Sequence, residues 1–349
     1  MKPFNIGDIE INPPLVLSPM AGVTDYSFRR LLKKRGGVGM TVSEFISVEG
    51  MTRNSPQSKR MMRFREFERP FAIQIFGANV RRMVMAAEMA EEQGADILDV
   101  NCGCPAPKVV KKGGGSGLLQ NLPLLKEILV EIKKSISIPL TLKIRAGFDD
   151  TDRNAVEVSK MAEQCGVQHV ALHGRTRQQR YTGLADWGLV KQIKDAVSIP
   201  VSGNGDVTSV EFALEKFKET GCDGILIGRG AMQNPWLFRQ IDDVLNGRDA
   251  YQPTLEDKQE VLLEFFEYLR EDMPEKAALG KMKQLAGQFT KGLRGGAKFR
   301  QTLYHSHSAK EILENIGIYF DTLNKGGTYG SNEVEKDAET LDSCEAAAV

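Results

Sequence analysis

The chain has 349 residues, 41% of them hydrophobic and 26% charged, enough for one large domain and a smaller one around well-buried cores. Lys plus Arg total 46 and Asp plus Glu total 46, so net charge selects neither nucleic acid nor membrane as a partner. The five cysteines are irregularly spaced, the N-terminal MKPFNIGDIEINPP lacks the apolar stretch of a signal peptide, and no run reaches the ~18 apolar residues that span a bilayer; these features exclude a secreted disulfide scaffold and leave a reducing cytoplasm as the expected compartment.

Short apolar runs alternate with longer amphipathic ones. PLVLSPMAG (14–22), VGMTVSEFIS (38–47), FAIQIFG (71–77) and DILDVNCG (96–103) are candidate strands, followed by PLTLKIRAG (139–147), HVALHGR (169–175), IPVSGNGD (199–206) and DGILIGRG (223–230). Between them lie helical patterns such as NVRRMVMAAEMAEEQG, which stops at Gly94, and SVEFALEKFKETG. Eight βα units ending near residue 245 match the usual ~250 residues of a (β/α)8 TIM barrel. A doubly wound sheet is the rival, and the absence of a G-x-G-x-x-G after the first strand counts against it.

The pattern changes after NGRDAYQPTLED. Residues 254–323 hold no good strand candidate and read as three or four helices, giving an all-helical C-terminal domain over 246–323 after a barrel over 1–245. Charge segregates there: residues 256–275 contain eight acids and two bases, whereas 276–310 contain eight bases and no acid, as one face meeting phosphates would. The tail 324–349 is Gly-rich, then acidic, and is expected to be disordered.

In a barrel of this kind the C-terminal strand ends open on one face, where the chemistry is kept. Polar residues stand at that end of nearly every strand, among them Gln74, Asn101, Lys143, Arg145, His173, Arg175, Asn204, Asp206 and Arg229. The CGC at 102–104 lies there too. A metal site needs more ligands than two thiols, and Cys165 and Cys222 belong to the opposite face, so no metal is expected. The two-residue period puts Cys102 with Leu98 and Val100 on the apolar side of its strand. Cys104 falls beyond the strand, in a turn stiffened by Pro105, and is the thiol placed to react. KKGGGSGLL (111–119) lacks the Lys-Ser/Thr of a phosphate-binding P-loop and reads as a mobile loop beside Cys104.

Several motifs in order now carry a resemblance: LSPMAGVTD (17–25), QIFG (74–77), DVNCGCPAPKV (99–109), LKIRAGFDD (142–150), LHGRTRQQRYTG (172–183), SGNGD (202–206) and GILIGRGAMQNPWLF (224–238). Together they resemble the tRNA-dihydrouridine synthases, flavoproteins that reduce uridine in tRNA, and within them the bacterial B-type branch. The resemblance runs to about residue 323 and implies FMN as cofactor, NAD(P)H as reductant and tRNA as partner, with no membrane and no obligate protein partner. It aligns Cys104 with the family's catalytic cysteine, and an ordinary thiol is protonated at neutral pH, as a proton donor must be. It implies an FMN site lined by Pro19, Met20, Ala21, Gln74, Lys143 and His173, with Asn204, Gly205, Asp206, Gly228 and Arg229 where barrels bind phosphate. Lys143 would face the anionic side of the reduced ring. Gln74 is open to a second reading as a turn-capping amide, and His173 to one as a satisfied structural histidine. Asn101, Arg145, Arg175 and Arg177 around the mouth, with Arg294, Lys298 and Arg300 in the helical domain, are the expected RNA contacts, which makes 246–323 the expected tRNA-binding domain. Two rivals stay open at this point: a dihydroorotate dehydrogenase-like flavin barrel acting on a small molecule, and a non-catalytic RNA-binding barrel.

Overall fold

The computed structural model describes residues 2–330. The chain divides into two compact units: one takes residues 1–231 and 235–250, and the other takes 232–234 and the chain from Tyr251 onward. The first is a (β/α)8 barrel, as expected. Its strands are β3 (Leu15–Leu17), β4 (Thr41–Val42) continued by β5 (Ile46–Ser47), β6 (Phe71–Phe76), β7 (Ile97–Cys102), β8 (Leu140–Arg145), β9 (His169–His173), β10 (Val201–Asn204) and β11 (Gly224–Ile227). Two further strands precede them, β1 (Phe4–Ile6) and β2 (Ile9–Ile11).

Neighbours from β6 to β11 pair in parallel, and β11 pairs with β3. Backbone bonds from Leu17 N to Met40 O at 3.0 Å and from Gly39 N to Leu15 O at 2.9 Å close the ring just before β4. These strands are apolar runs because both faces are covered: β7 is buried at every position and β9 likewise. Four of the helices between them start on a side-chain cap. Asn79 accepts from Arg82 N ahead of Val80–Glu92, and Ser209 accepts from Phe212 N ahead of Val210–Thr220.

Not anticipated from the sequence is the antiparallel hairpin β1–β2. Its Gly7-Asp8 turn between two alternating triplets, Phe-Asn-Ile and Ile-Glu-Ile, is a recognised two-residue hairpin signal. Phe4, Ile6 and Ile11 join Val16, Val42, Ala72, Ile97, Ala171 and Leu226 in one buried cluster, so the hairpin packs with the inward side chains near the strand starts. Alternation then carries Asp99 and Asn101 of β7 toward the open end on the same side as Ile97.

The second unit contains helices Leu255–Asp272, Glu275–Phe289, Gly296–His305 and Ala309–Asn324. Phe299 stacks on Tyr319 with centroids 4.0 Å apart, and Tyr329 meets both rings edge-on. Gly295 has φ +64°, and a Cβ there would lie 2.8 Å from Tyr329, so that turn requires glycine. The first residues of the segment expected to be disordered thus pack on this unit as far as Tyr329. The rest of that segment, 331–349, lies outside the described residues. Among the described residues no helix is long and apolar enough to cross a membrane.

Candidate active site

The Cys104 turn is held from both sides. Asn101 at the end of β7 accepts from Gly103 N at 3.1 Å and Cys104 N at 2.9 Å through its Oδ1. The Cys104 carbonyl accepts from Ser116 N at 3.1 Å and Ser116 Oγ at 2.9 Å. The Gly-rich stretch expected to be a mobile loop is packed here instead. Gly115 has φ +57°, and a Cβ on it would sit 2.9 Å from Cys104 O, so the close approach needs glycine. The Cys104 thiol is 6% exposed, and burial pushes its pKa up, against the Ala106 amide and the Arg145 charge. It is therefore a protonated thiol at neutral pH. Cys102 is wholly buried, and burial and then Asp99 push its pKa up further still.

Asn101, an expected substrate contact, has its Oδ1 engaged in the turn and donates from Nδ2 to Gln74 Oε1 at 2.7 Å. Gln74 is buried, and its Nε2 donates to Asp99 Oδ2 at 2.5 Å. Thr141 Oγ1 donates to Asp99 Oδ1, also at 2.5 Å. Gln74, Asp99 and Thr141 lie opposite one another across β6, β7 and β8.

Cations follow on β8 and the strands after it, beginning with Lys143, the register partner of Asn101. Lys143 Nζ donates to Asn204 Oδ1 at 3.2 Å. Burial and then Arg145 lower its pKa to about 8, Asp99 opposing. Arg175 is 2% exposed and ion-paired with Asp206 at 2.8 Å. It also donates to the Thr182 and Gly183 carbonyls, while its Nη1 is buried without a hydrogen-bond partner. Arg229 reaches Asp206 at 3.6 Å and lies 4.8 Å over the Tyr181 ring. Arg145 ties the turn to the neighbouring loop, donating to the carbonyls of Gly103, Thr176 and Arg180. Burial, then Lys143, Arg145, Arg175 and Arg229, drive the His173 pKa down to about 2, so its imidazole is neutral. A Cβ on Gly205 would meet Ala185 Cβ at 2.5 Å and that imidazole at 3.2 Å, and one on Gly228 would meet Met20 Sδ at 3.4 Å. These glycines leave bare backbone beside His173 and Met20.

Pro19, Met20 and Ala21 belong to a segment anchored from below. Thr24 Oγ1 accepts from Met20 N at 3.0 Å, and Thr24 O accepts from Arg29 Nη1 at 3.0 Å. Arg29 in turn donates to Glu68 at 2.6 Å, both side chains being buried. Arg177 sits on the rim, its guanidinium 5.0 Å over Phe148.

The structure thus brings Cys104, Asn101, Gln74, Lys143, His173, Arg145, Arg175, Asn204, Gly205, Asp206 and Arg229 into one linked set of contacts, and Met20 to Gly228 beside it. Arg294, Lys298 and Arg300 lie in the helical unit. Lys298 is exposed, Arg294 donates to Gly326 O and Arg300 donates to Thr290 O. Lys283, in the same basic stretch, is taken up in donating to Tyr304 O and Ser306 O. Sequence reasoning missed Asp99, Thr141 and Ser116, and the ion pair beneath Thr24. A charged residue inside the apolar run DILDV was the one available sign of Asp99.

The family model described as dihydrouridine synthase (Dus) matches residues 16–324. The chain is 40% identical over 322 residues to a protein of Rickettsia bellii named probable tRNA-dihydrouridine synthase, covering 92% of this chain and 98% of that one. It is 39% identical to tRNA-dihydrouridine synthase B of Pseudomonas putida, covering 92% and 95%. Among solved structures, histamine dehydrogenase from Rhizobium sp. 4-9 shares the fold with TM-score 0.52 and 16% identity, over 76% of this chain and half of that one.

Proposed function

Since this chain belongs to the dihydrouridine synthase family and is an oxidoreductase with it, we propose that it reduces uridine to 5,6-dihydrouridine in the D-loop of tRNA, in the cytoplasm. The observation that carries the reading is the Cys104 thiol: protonated, clamped at both ends of its turn, and set beside Arg145, which donates to the Gly103 carbonyl of the same turn.

The mouth suits FMN. Four cations crowd His173, one of them keeps a buried N–H without a partner, and two glycines leave backbone bare. FMN bound there, with NAD(P)H as its reductant, would supply the hydride for C6 of the uracil. Asn204, Gly205, Asp206, Gly228 and Arg229 would hold its phosphate. Pro19, Met20 and Ala21 would lie along its ring, Gln74 would address a ring edge, and Lys143 would stabilise its anionic form.

Cys104 gives its proton to C5. The thiolate left behind is stabilised by the Ala106 amide and by Arg145, the two groups that already oppose the burial of its charge. Neutral His173 has one ring N–H to offer a pyrimidine carbonyl. The base must leave its stack to arrive there, at a cost of a few kcal/mol, which contacts to the rest of the tRNA must offset. Arg177 on the rim, with Arg294, Lys298 and Arg300 in the helical unit, would supply them, while the buried Arg175, expected among the RNA contacts, would face the base and flavin instead. Mass mapping of dihydrouridine in tRNA from a strain lacking this chain, with and without re-expression, tests the proposal. Unchanged dihydrouridine at every position would overturn it.

A further inference from the structure

One hydrogen-bonded chain inside the barrel has a direction that its ends impose. At one end, the backbone N–H groups of Gly103 and Cys104 can only donate, so Asn101 must present its oxygen to them. That turns the Asn101 Nδ2 toward Gln74, at 2.7 Å, and requires Gln74 to present its oxygen there. Gln74 is then left with an NH2 pointing deeper into the barrel. What waits for it is Asp99 Oδ2, which accepts at 2.5 Å; burial pushes the Asp99 pKa up, against Thr141, Gln74 and Lys143. The turn's N–H groups fix the orientation of both amides, and the acceptor at the other end suits it.

Asp99 is itself held. Its second oxygen accepts from Thr141 at 2.5 Å, and direct register across β6, β7 and β8 lines up all three side chains. It is 8% exposed, an uncommon place for a carboxylate unless hydrogen bonds keep it there.

We infer that Asp99 is a positioning residue of the active site: it fixes Gln74, through Gln74 it fixes Asn101, and through Asn101 it holds the Cys104 turn closed. The inference rests on the reading of Cys104 as the reacting thiol for its importance, but not for its test. A neutral acceptor of the same shape preserves the chain, because Asn at position 99 can offer its oxygen to Gln74 and its NH2 to the Thr141 hydroxyl. An apolar residue breaks it.

The test is alkylation of Cys104 by iodoacetamide in the flavin-free protein, followed by peptide mass, with thermal unfolding recorded alongside. Because Cys104 is 6% exposed while its turn is closed, loosening of the turn should raise the reaction rate. Asp99→Leu is expected to speed alkylation roughly tenfold, and Asp99→Asn to stay within about threefold of the parent. In a Gln74→Leu background, Asp99→Leu should add less than about twofold, because the chain is already cut. Should Asp99→Leu not fold, Thr141→Val, which removes one of the two donors to the carboxylate, carries the same comparison with a smaller acceleration. Equal rates for folded Asp99→Leu and parent, an Asn variant as fast as the Leu variant, or an undiminished effect of Asp99→Leu without Gln74 would overturn the inference. Since alkylation needs neither flavin nor tRNA, loss of the dihydrouridine reading leaves this result standing, and the converse holds.

Discussion

Replacing Cys104 by Ala removes the acid and little else. The thiol is buried to 6% exposure, its turn is held by backbone groups of Gly103, Cys104 and Ser116 that survive the change, and the packing removed is one heavy atom. General acids contribute on the order of 10²- to 10⁴-fold, about 3–5 kcal/mol of barrel-mouth chemistry at 1.36 kcal/mol per decade. Cys102→Ala removes one heavy atom from a packed wall, a loss like Ile→Val and worth about 1 kcal/mol, or about 2–4 °C in melting temperature for a unit of this size. The assay is anaerobic single turnover: flavin is reduced first, then its oxidation by tRNA is followed optically. Cys104→Ala should slow that step at least 100-fold, roughly, while the preceding reduction by the nicotinamide donor stays unchanged. Burial holds the thiol pKa above the ordinary range, so the parent rate should be flat through neutral pH and fall only above it, as the acid form is lost with rising pH. The residual rate of Cys104→Ala should lack that limb. Equal loss in both cysteine variants with folding intact, or an unimpaired Cys104→Ala, refutes the assignment.

Lys143→Met should weaken FMN retention and make the flavin midpoint potential more negative; since the Lys143 pKa is lowered to about 8, its charge is present below that pH and lost above it, so parent FMN affinity should drop toward the variant's between pH 7 and 9, roughly. Neutralising Arg294, Lys298 and Arg300 together should weaken tRNA binding and reduce the slope of its salt dependence by about 0.7–0.9 for each phosphate that the variant no longer neutralises; unchanged affinity and slope would leave the rim of the barrel as the grip. Because Arg300 also donates to Thr290 O, its replacement should be Gln, with the melting temperature checked. Glu68→Ala strands the buried Arg29 and should destabilise by about 3–5 kcal/mol, whereas the double change Arg29→Met with Glu68→Leu should cost much less; a Glu68→Ala melting temperature matching the parent would show the pair to be idle.

The eight barrel strands were legible because a parallel sheet covered on both faces leaves continuous apolar runs, and the turns after them carry Gly and Pro. Cys102 was separable from Cys104 because alternation sets it with Leu98 and Val100, whereas Cys104 falls past the strand's end in the Gly-Cys-Pro turn. The N-terminal hairpin was passed over although its Gly-Asp turn was readable, since three-residue strands give too short a pattern to weigh. Of the Asp99 chain only the charged residue inside an apolar run was readable, not its partners. It needs the register that puts residues 74, 99 and 141 side by side, and nothing in one strand states its neighbour's register. Composition likewise singled out the acid-free stretch 276–310 but could not tell that Lys283 is tied to two carbonyls while Lys298 is exposed.

Ring closure joins Leu15 to Ile225, partners separated by 210 positions. On the ribosome, at roughly 5–20 residues per second, the earlier strand would wait on the order of 10–40 s for the later one to emerge. Through that interval one edge of β3 offers unpaired backbone, and the hairpin side chains that pack with Leu226 have no complete floor to seat on. Loop length itself adds little, since closure entropy grows only with the logarithm of separation, so the hazard is one of time and exposure more than of equilibrium. Slowed elongation between residues 15 and 225 should therefore raise aggregation of the nascent chain without altering the melting temperature of molecules that complete the ring.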